Sequence, residues 1–190
     1  DLAAASVDEL RQHVAQIVAE MGSLDILVNN AGSIRRSKVL EVSEGDWDFV
    51  LQLNQKAAFF LAQAAGRVMK EQGSGKIINI ASVLGYEGGV FALSYATTKH
   101  GMIGMTKGMS NELARHNIQV NAIAPGYFST DLTAALEADD ERSAALLARV
   151  PAGRFGDPDE LKGVVVYLAS AASSFVSGST FVVDGGWLGR

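Results

Sequence analysis

The sequence predicts an α/β protein, an open parallel sheet covered by helices on both sides. Four short stretches are nearly continuous in Ile, Val and Leu, the mark of strands buried on both faces, and parallel sheets bury both faces. Helical patterns lie between them, so strand and helix alternate along the chain. Glycine is frequent, at 20 of 190 residues against 3 prolines, which suits tight strand–helix turns and not a disordered linker.

In chain order, a helix is expected over Val7–Met21, then the strand L-D-I-L-V over Leu24–Val28. A second helix follows S-E-G-D-W, where Ser43 can cap and Asp46 stands at the third helical position; it runs to about Lys70. The strand K-I-I-N-I-A covers Lys76–Ala81, and a third helix reaches from about Ser94 to Arg115. I-Q-V-N-A-I-A gives a strand over Ile118–Ala124. Two more helices fill roughly Ala134–Arg149 and Pro158–Ala169, before a last strand, T-F-V-V-D, over Thr180–Asp184. No repeat or linker interrupts the pattern, so residues 1–190 read as a single domain, long enough for a sizeable core.

Hydrophobic residues make up 48% and charged residues 19%, as in a soluble globular protein. The net charge is −5 and the basic residues form no run, which argues against nucleic acid as a partner. The absence of cysteine excludes disulfides and thiolate chemistry and agrees with a cytoplasmic location. No apolar run approaches the ~20 residues that a membrane span needs. The opening D-L-A-A-A-S-V-D-E-L carries acids and no basic segment, unlike a signal peptide. His13, His100 and His116 lie far apart without metal-ligand spacing, so no metal site is expected. Trp47 and Trp187 read as packing residues, with Trp187 also a candidate for sealing an active site or subunit contact.

Ligands bind at the carboxyl ends of the strands in such a sheet. N-N-A-G (Asn29–Gly32), S-V-L-G (from Ser82) and P-G-Y-F-S-T (Pro125–Thr130) follow the first three strands. Each alone is a plain turn. Three on one rim look like a lined crevice.

Past the second strand, Tyr95 and Lys99 stand one helical turn apart at the start of a helix, close enough to interact. A positive charge beside a phenol favours the phenolate and lowers a pKa that is otherwise near ~10. Such pairs also arise by chance, with the tyrosine in the core and the lysine in solvent. Ser82, before this helix, reads either as a cap or turn residue or as part of the same crevice. Asn54 sits in the middle of a helix, where asparagine is a mediocre choice and invites a reason.

Together these residues resemble the short-chain dehydrogenase/reductase family over essentially the whole chain. The resemblance rests on N-N-A-G at 29–32, Asn54, I-N-I-A-S ending at Ser82, Y-A-T-T-K at 95–99, N-A-I-A-P-G at 121–126 and V-D-G-G at 183–186. It implies a Rossmann-like doubly wound sheet and a nicotinamide cofactor, NAD with NADP as the alternative. Tyr95 would be the general acid and base, and Lys99 would lower its pKa and hold the nicotinamide ribose. Ser82 would bind the substrate oxygen, and Asn54 would anchor a water in a proton relay. Asn30, Ala31 and Gly32 would line the adenosine–ribose part of the cofactor. Pro125, Gly126, Phe128 and Thr130 would frame the nicotinamide, partly through backbone. Phe128 departs from the smaller aliphatic residue more usual in the family.

The family's glycine-rich phosphate loop is not in this chain. Asp1-Leu2 resembles the dipeptide after the family's third strand, where the aspartate contacts adenine. The first two βα units, roughly sixty residues at ~30 each, are therefore lacking, and an incomplete record of a normal enzyme is the expectation.

S-I-R-R (Ser33–Arg36), V-P-A-G-R-F-G-D-P and the ending D-G-G-W-L-G-R resemble the bacterial sugar-acid branch of the family. That implies a substrate of the 2-dehydro-3-deoxy-D-gluconate or 2-deoxy-D-gluconate type. An arginine fork pairs bidentately with a carboxylate, so Arg35 or Arg36 is a candidate for holding it, beside Ser82 and Tyr95, with Arg154 and Arg190 weaker ones. The alternatives are a gluconate 5-dehydrogenase, a 3-oxoacyl-carrier-protein reductase, a dinucleotide-sensing binding module or an inactive fragment. The resemblance also implies a homotetramer, for which the apolar faces around Phe59–Leu61 and Met102–Met109 could serve.

Overall fold

A computed structural model of the chain describes residues 1–189. Helix α1 spans Val7–Met21, as expected, because Ser6 and Glu9 bond reciprocally across its first turn and Gly22, at φ +84°, closes it. Strand β1, Ile26–Asn29, starts later than the sequence suggests. The side-chain amide of Gln72 accepts from Leu24 N at 3.0 Å and donates to Leu24 O at 3.1 Å, holding Leu24 outside the ladder.

The helix expected from Ser43 to Lys70 is three pieces: α2 (Glu44–Leu51), a π-helical turn (Gln52–Ala57) and α3 (Ala58–Gln72). Ser43 caps α2 by accepting from Asp46 N at 3.1 Å. Strand β2 (Gly75–Ile80), helix α4 (Leu93–Leu113) and strand β3 (Ile118–Pro125) follow. The helix expected over Ala134–Arg149 is broken into α5 (Ala134–Glu137) and α6 (Asp140–Leu147), since Asp139 accepts from Arg142 N at 3.1 Å and starts a new helix. A 3₁₀ turn, Pro158–Leu161, leads into α7 (Lys162–Ala169). Strand β4, Thr180–Val183, ends where the Asp184 carboxylate accepts from Gly186 N and Leu188 N, both at 2.8 Å.

The four strands are all parallel, in the order β1-β2-β3-β4. Successive side chains point to opposite faces, so Ile77 packs with Ala62, Ala65 and Met69 of α3, while Ile78 packs with Leu168 of α7. Helices thus cover both faces. On the α3 side, Met102 and Ile103 of α4 join Ala58, Ala122 and Ala124. Strand β3 is buried from Ile118 to Ala124. Buried polar groups tie the elements in register: Asn29 Nδ2 donates to Asn79 Oδ1 across the β1–β2 pair, and Asn79 Nδ2 donates to Thr106 Oγ1 of α4, both at 2.9 Å. Because all strands run the same way, their carboxyl ends form one rim. Among the described residues no helix is long and apolar enough to cross a membrane.

Candidate active site

Ser82 leaves β2 in extended conformation, and its hydroxyl accepts from Leu84 N at 3.1 Å to open a 3₁₀ turn, Val83–Gly85. That turn lies hard against α4. A β-carbon at Gly85 would stand 2.9 Å from the Lys99 carbonyl oxygen, so only glycine permits the approach. Tyr95 and Lys99 occupy the first two turns of α4, with Lys99 Nζ 5.3 Å from the centre of the Tyr95 ring.

Lys99 is 3% exposed and donates to Ile80 O at 2.6 Å. Burial pulls its pKa down to about 8. The Tyr95 phenol moves the other way. Burial pushes it up, against the lowering pull of the Ser82 hydroxyl and of the Arg36 charge. This corrects the expectation of a phenol lowered by Lys99: burial outweighs the opposing groups, and the lysine ammonium is committed to a carbonyl at the end of β2.

Asn54 is fully buried in the π-helical turn. Its Oδ1 accepts from Ser33 N at 2.8 Å, and its Nδ2 donates to Ser33 O at 2.9 Å and to Thr98 Oγ1 at 3.2 Å. Both amide hydrogens are used, so the side chain serves to fix the loop after β1. Gly32 comes up to the same place: a β-carbon there would lie 3.4 Å from Asn54 Oδ1 and 3.8 Å from Lys99 Nζ. Asn30, Ala31 and Gly32 are exposed on this rim, and the missing side chain of Gly32 leaves a β-carbon-sized space next to the buried Asn54 amide and Lys99 ammonium.

The other expected cofactor residues divide. Pro125 and Gly126 are half-buried at the exit of β3, where a β-carbon on Gly126 would meet Asp184 Cα at 2.7 Å. Thr130 is exposed, and its N–H donates to Thr133 Oγ1 at 3.0 Å. Phe128 is 7% exposed, its ring packed where a β-carbon on Gly156 would stand, so its side chain belongs to the packing. Asp1 is exposed, and its carboxylate accepts from Ala3 N at 2.9 Å within an N-terminal turn.

The arginines are now separable. Arg35 pairs with Asp46 at 3.5 Å and lies over the Phe49 ring at 4.2 Å. Arg154 is forked onto Glu160 at 2.7 and 2.8 Å. Arg190 lies outside the described residues. Arg36 pairs with no described carboxylate. It lines a hollow of about 420 Å³ together with Leu84, Glu87, Tyr127, Arg149 and Trp187. Leu84 and Ala92, two residues after Ser82 and three before Tyr95, both line it, while Asn54, Ser82, Tyr95 and Lys99 are not part of its lining. The sequence reading missed Glu87, Tyr127 and Arg149. Tyr127 carried a local signal, its place next to Gly126 on the rim; the other two are brought in by loops whose course no local pattern gives. A larger hollow, about 1000 Å³, lies elsewhere, between Phe49, Phe59 and Phe60 on one side and Gly101 and Met105 of α4 on the other; Asn54, Ser82, Tyr95 and Lys99 are not part of its lining.

This group of side chains on one rim of a parallel sheet agrees with a family model described as enoyl-(acyl carrier protein) reductase, which matches residues 2–188. The chain belongs to the short-chain dehydrogenase/reductase family. Within that family it is 54% identical over 185 residues to the 2-dehydro-3-deoxy-D-gluconate 5-dehydrogenase of Escherichia coli (strain K12), covering 97% of this chain and 73% of the relative. It is 47% identical over 180 residues to the 5-keto-D-gluconate 5-reductase of the same strain, covering 95% of this chain and 71% of that one. The crystal structure of a gluconate 5-dehydrogenase from Burkholderia cenocepacia J2315, in complex with NADP and tartrate, superposes with a TM-score of 0.97 at 43% identity, covering 100% of this chain and 74% of that one. The chain thus spans about three quarters of the length of these short-chain dehydrogenase/reductase relatives.

Proposed function

We propose that the protein transfers hydride between a nicotinamide cofactor and a carbonyl or secondary alcohol of a sugar acid of the 2-dehydro-3-deoxy-D-gluconate type. The observation that carries this is Arg36, an arginine without a described carboxylate partner, on a hollow that Leu84 and Ala92, sequence neighbours of Ser82 and Tyr95, also line. Relatives named for 2-dehydro-3-deoxy-D-gluconate and 5-keto-D-gluconate support the same substrate class.

The residues fit the cofactor. Gly32 leaves room between Asn54 and Lys99 for a ribose hydroxyl, and the exposed Asn30 and Ala31 continue that rim. Pro125, Gly126 and Thr130 would approach the nicotinamide through their backbone. Asp1 stands for the adenine contact. The cofactor, NAD or NADP, supplies or takes up the hydride when bound. A solved relative holding NADP supports a nicotinamide dinucleotide.

In reduction, Ser82 donates to the substrate carbonyl oxygen and stabilises the charge that develops there. Tyr95 is protonated at neutral pH, because burial favours the neutral phenol, and gives its proton to that oxygen. Lys99, with a pKa about 8, is largely charged at neutral pH and would hold the ribose hydroxyls. Arg36 lends the hollow a positive charge that draws an anionic substrate towards it. In oxidation the same groups act in reverse.

Residues 1–190 act as one domain, in the cytoplasm, within a homotetramer. The half-buried Phe59, Phe60 and Met105 around the larger hollow support a subunit contact there. Sedimentation velocity tests the assembly. Turnover of 2-dehydro-3-deoxy-D-gluconate and D-gluconate, each with NAD and NADP, tests the function; no turnover of either sugar acid with either cofactor refutes it.

A further inference from the structure

Trp187 is 5% exposed, and described residues hold it from three sides. Its indole N–H donates to Glu87 Oε1, its face carries the Arg149 guanidinium at 4.1 Å, and its ring meets Tyr127 edge-on at 4.9 Å. Arg149 and Glu87 therefore share one indole and line one hollow, yet they form no ion pair with each other. Opposite charges in one small cavity close on each other unless something holds them apart, and here the indole does so. Among the described residues Arg149 has no carboxylate partner, and the second oxygen of Glu87 accepts no hydrogen bond.

A fixed cation and a fixed acceptor suit a ligand that carries both a carboxylate and hydroxyls. We propose that Arg149 and Glu87, positioned by Trp187, form the subsite that reads the substrate end remote from the reacting carbon. Arg149 binds the carboxylate and Glu87 accepts from a chain hydroxyl. This rests on the sugar-acid reading above and deepens it. Leu84 and Ala92, two residues after Ser82 and three before Tyr95, line the hollow and mark its reacting end. A molecule that reacts at carbon 5 and carries its carboxylate on carbon 1 extends beyond them, to Arg149. The indole face also keeps the guanidinium flat and ordered, which suits a bidentate fork.

D-Gluconate and D-glucitol test this, since they differ only in carboxylate against hydroxymethyl. Arg149→Gln is expected to lower kcat/KM for D-gluconate about 10- to 100-fold, mainly through KM. D-Glucitol, which offers no carboxylate, loses far less. Trp187→Phe keeps a ring under Arg149 but removes the N–H to Glu87; it shrinks the preference for D-gluconate while thermal melting reports whether the fold is kept. If both variants keep the wild-type preference, the subsite is refuted. If the wild type turns over neither compound, the subsite is judged by indole fluorescence in a Trp47→Phe background, and the sugar-acid reading falls only if 2-dehydro-3-deoxy-D-gluconate is not turned over either. Quenching by D-gluconate and not by D-glucitol, lost in Arg149→Gln, upholds it. An equal response to both compounds overturns it.

Discussion

Asn54 grips Ser33 by both polar groups of its backbone, accepting from the N–H at 2.8 Å and donating to the carbonyl at 2.9 Å. A third bond, to Thr98 Oγ1 at 3.2 Å, reaches α4 beside Lys99. One buried amide thereby ties the loop that carries Arg35 and Arg36 to the helix that carries Tyr95. The π-helical turn that holds Asn54 is the kind of local irregularity that collects at functional sites.

Removing that amide leaves two backbone groups of Ser33 without partners. Asn54→Ala is expected to cost about 2–4 kcal/mol of stability, read by urea unfolding. Asn54→Asp keeps an acceptor for Ser33 N–H and should lose less. Equal stability of Asn54→Ala and wild type would show that the grip contributes nothing.

The two neighbouring arginines should separate in kinetics. Arg35 is held by Asp46 and Phe49 and orients the loop; Arg36 opens onto the hollow. Arg36→Gln is expected to raise KM for a sugar acid by about tenfold or more. Arg35→Gln should act less on KM, because its exposed ion pair contributes under ~1 kcal/mol. The reverse ranking would move the attraction for the anionic substrate from Arg36 to Arg35.

Lys99 gives a pH signature in stability. Its folded pKa, about 8, lies below the ordinary lysine value of 10.5. Between these values the unfolded chain binds the extra proton, so this group makes stability rise with pH across that window. Below pH 8 both states are protonated, and the cost of burying the ammonium is fully present. Relative to Lys99→Met, the wild type should therefore gain up to about 3 kcal/mol between pH 7.5 and pH 10, order of magnitude, in paired urea titrations. A constant difference would mean that Lys99 titrates normally.

Gly85 tests the contact between the Ser82 turn and α4. A β-carbon there would press on the Lys99 carbonyl at 2.9 Å and Ile103 Cδ1 at 2.7 Å. Gly85→Ala is expected to destabilise by about 1–3 kcal/mol and to displace Ser82, with kcat falling more than cofactor affinity. Wild-type melting and kcat would show that the turn is free to move.

The order of strands and helices was legible in the sequence because β2 and β3 are buried on both faces, and Ile77 and Ile78 each need a helix above them. The rim motifs singled out Gly32 and Ser82, helical spacing singled out Tyr95 and Lys99, and an unusual mid-helix asparagine singled out Asn54. What the sequence hid depends on distant partners. Gln72 delays β1, Asp139 divides a helix that looked continuous, and Phe128 turns inward beneath Gly156. The direction of the Tyr95 shift was misread for the same reason, since helical spacing shows a nearby lysine and not the burial that outweighs it. Glu87 and Arg149 meet only through Trp187, an encounter that no local pattern encodes.

The most direct measurement is the rate of reduced-cofactor formation with 2-dehydro-3-deoxy-D-gluconate for the wild type and for Tyr95→Phe, each with NAD and NADP, alongside a cofactor-fluorescence binding titration. The account predicts turnover by the wild type and a loss on the order of 10²–10⁴-fold in Tyr95→Phe, with cofactor affinity retained. A Tyr95→Phe enzyme that turns over the sugar acid as fast as the wild type would contradict it.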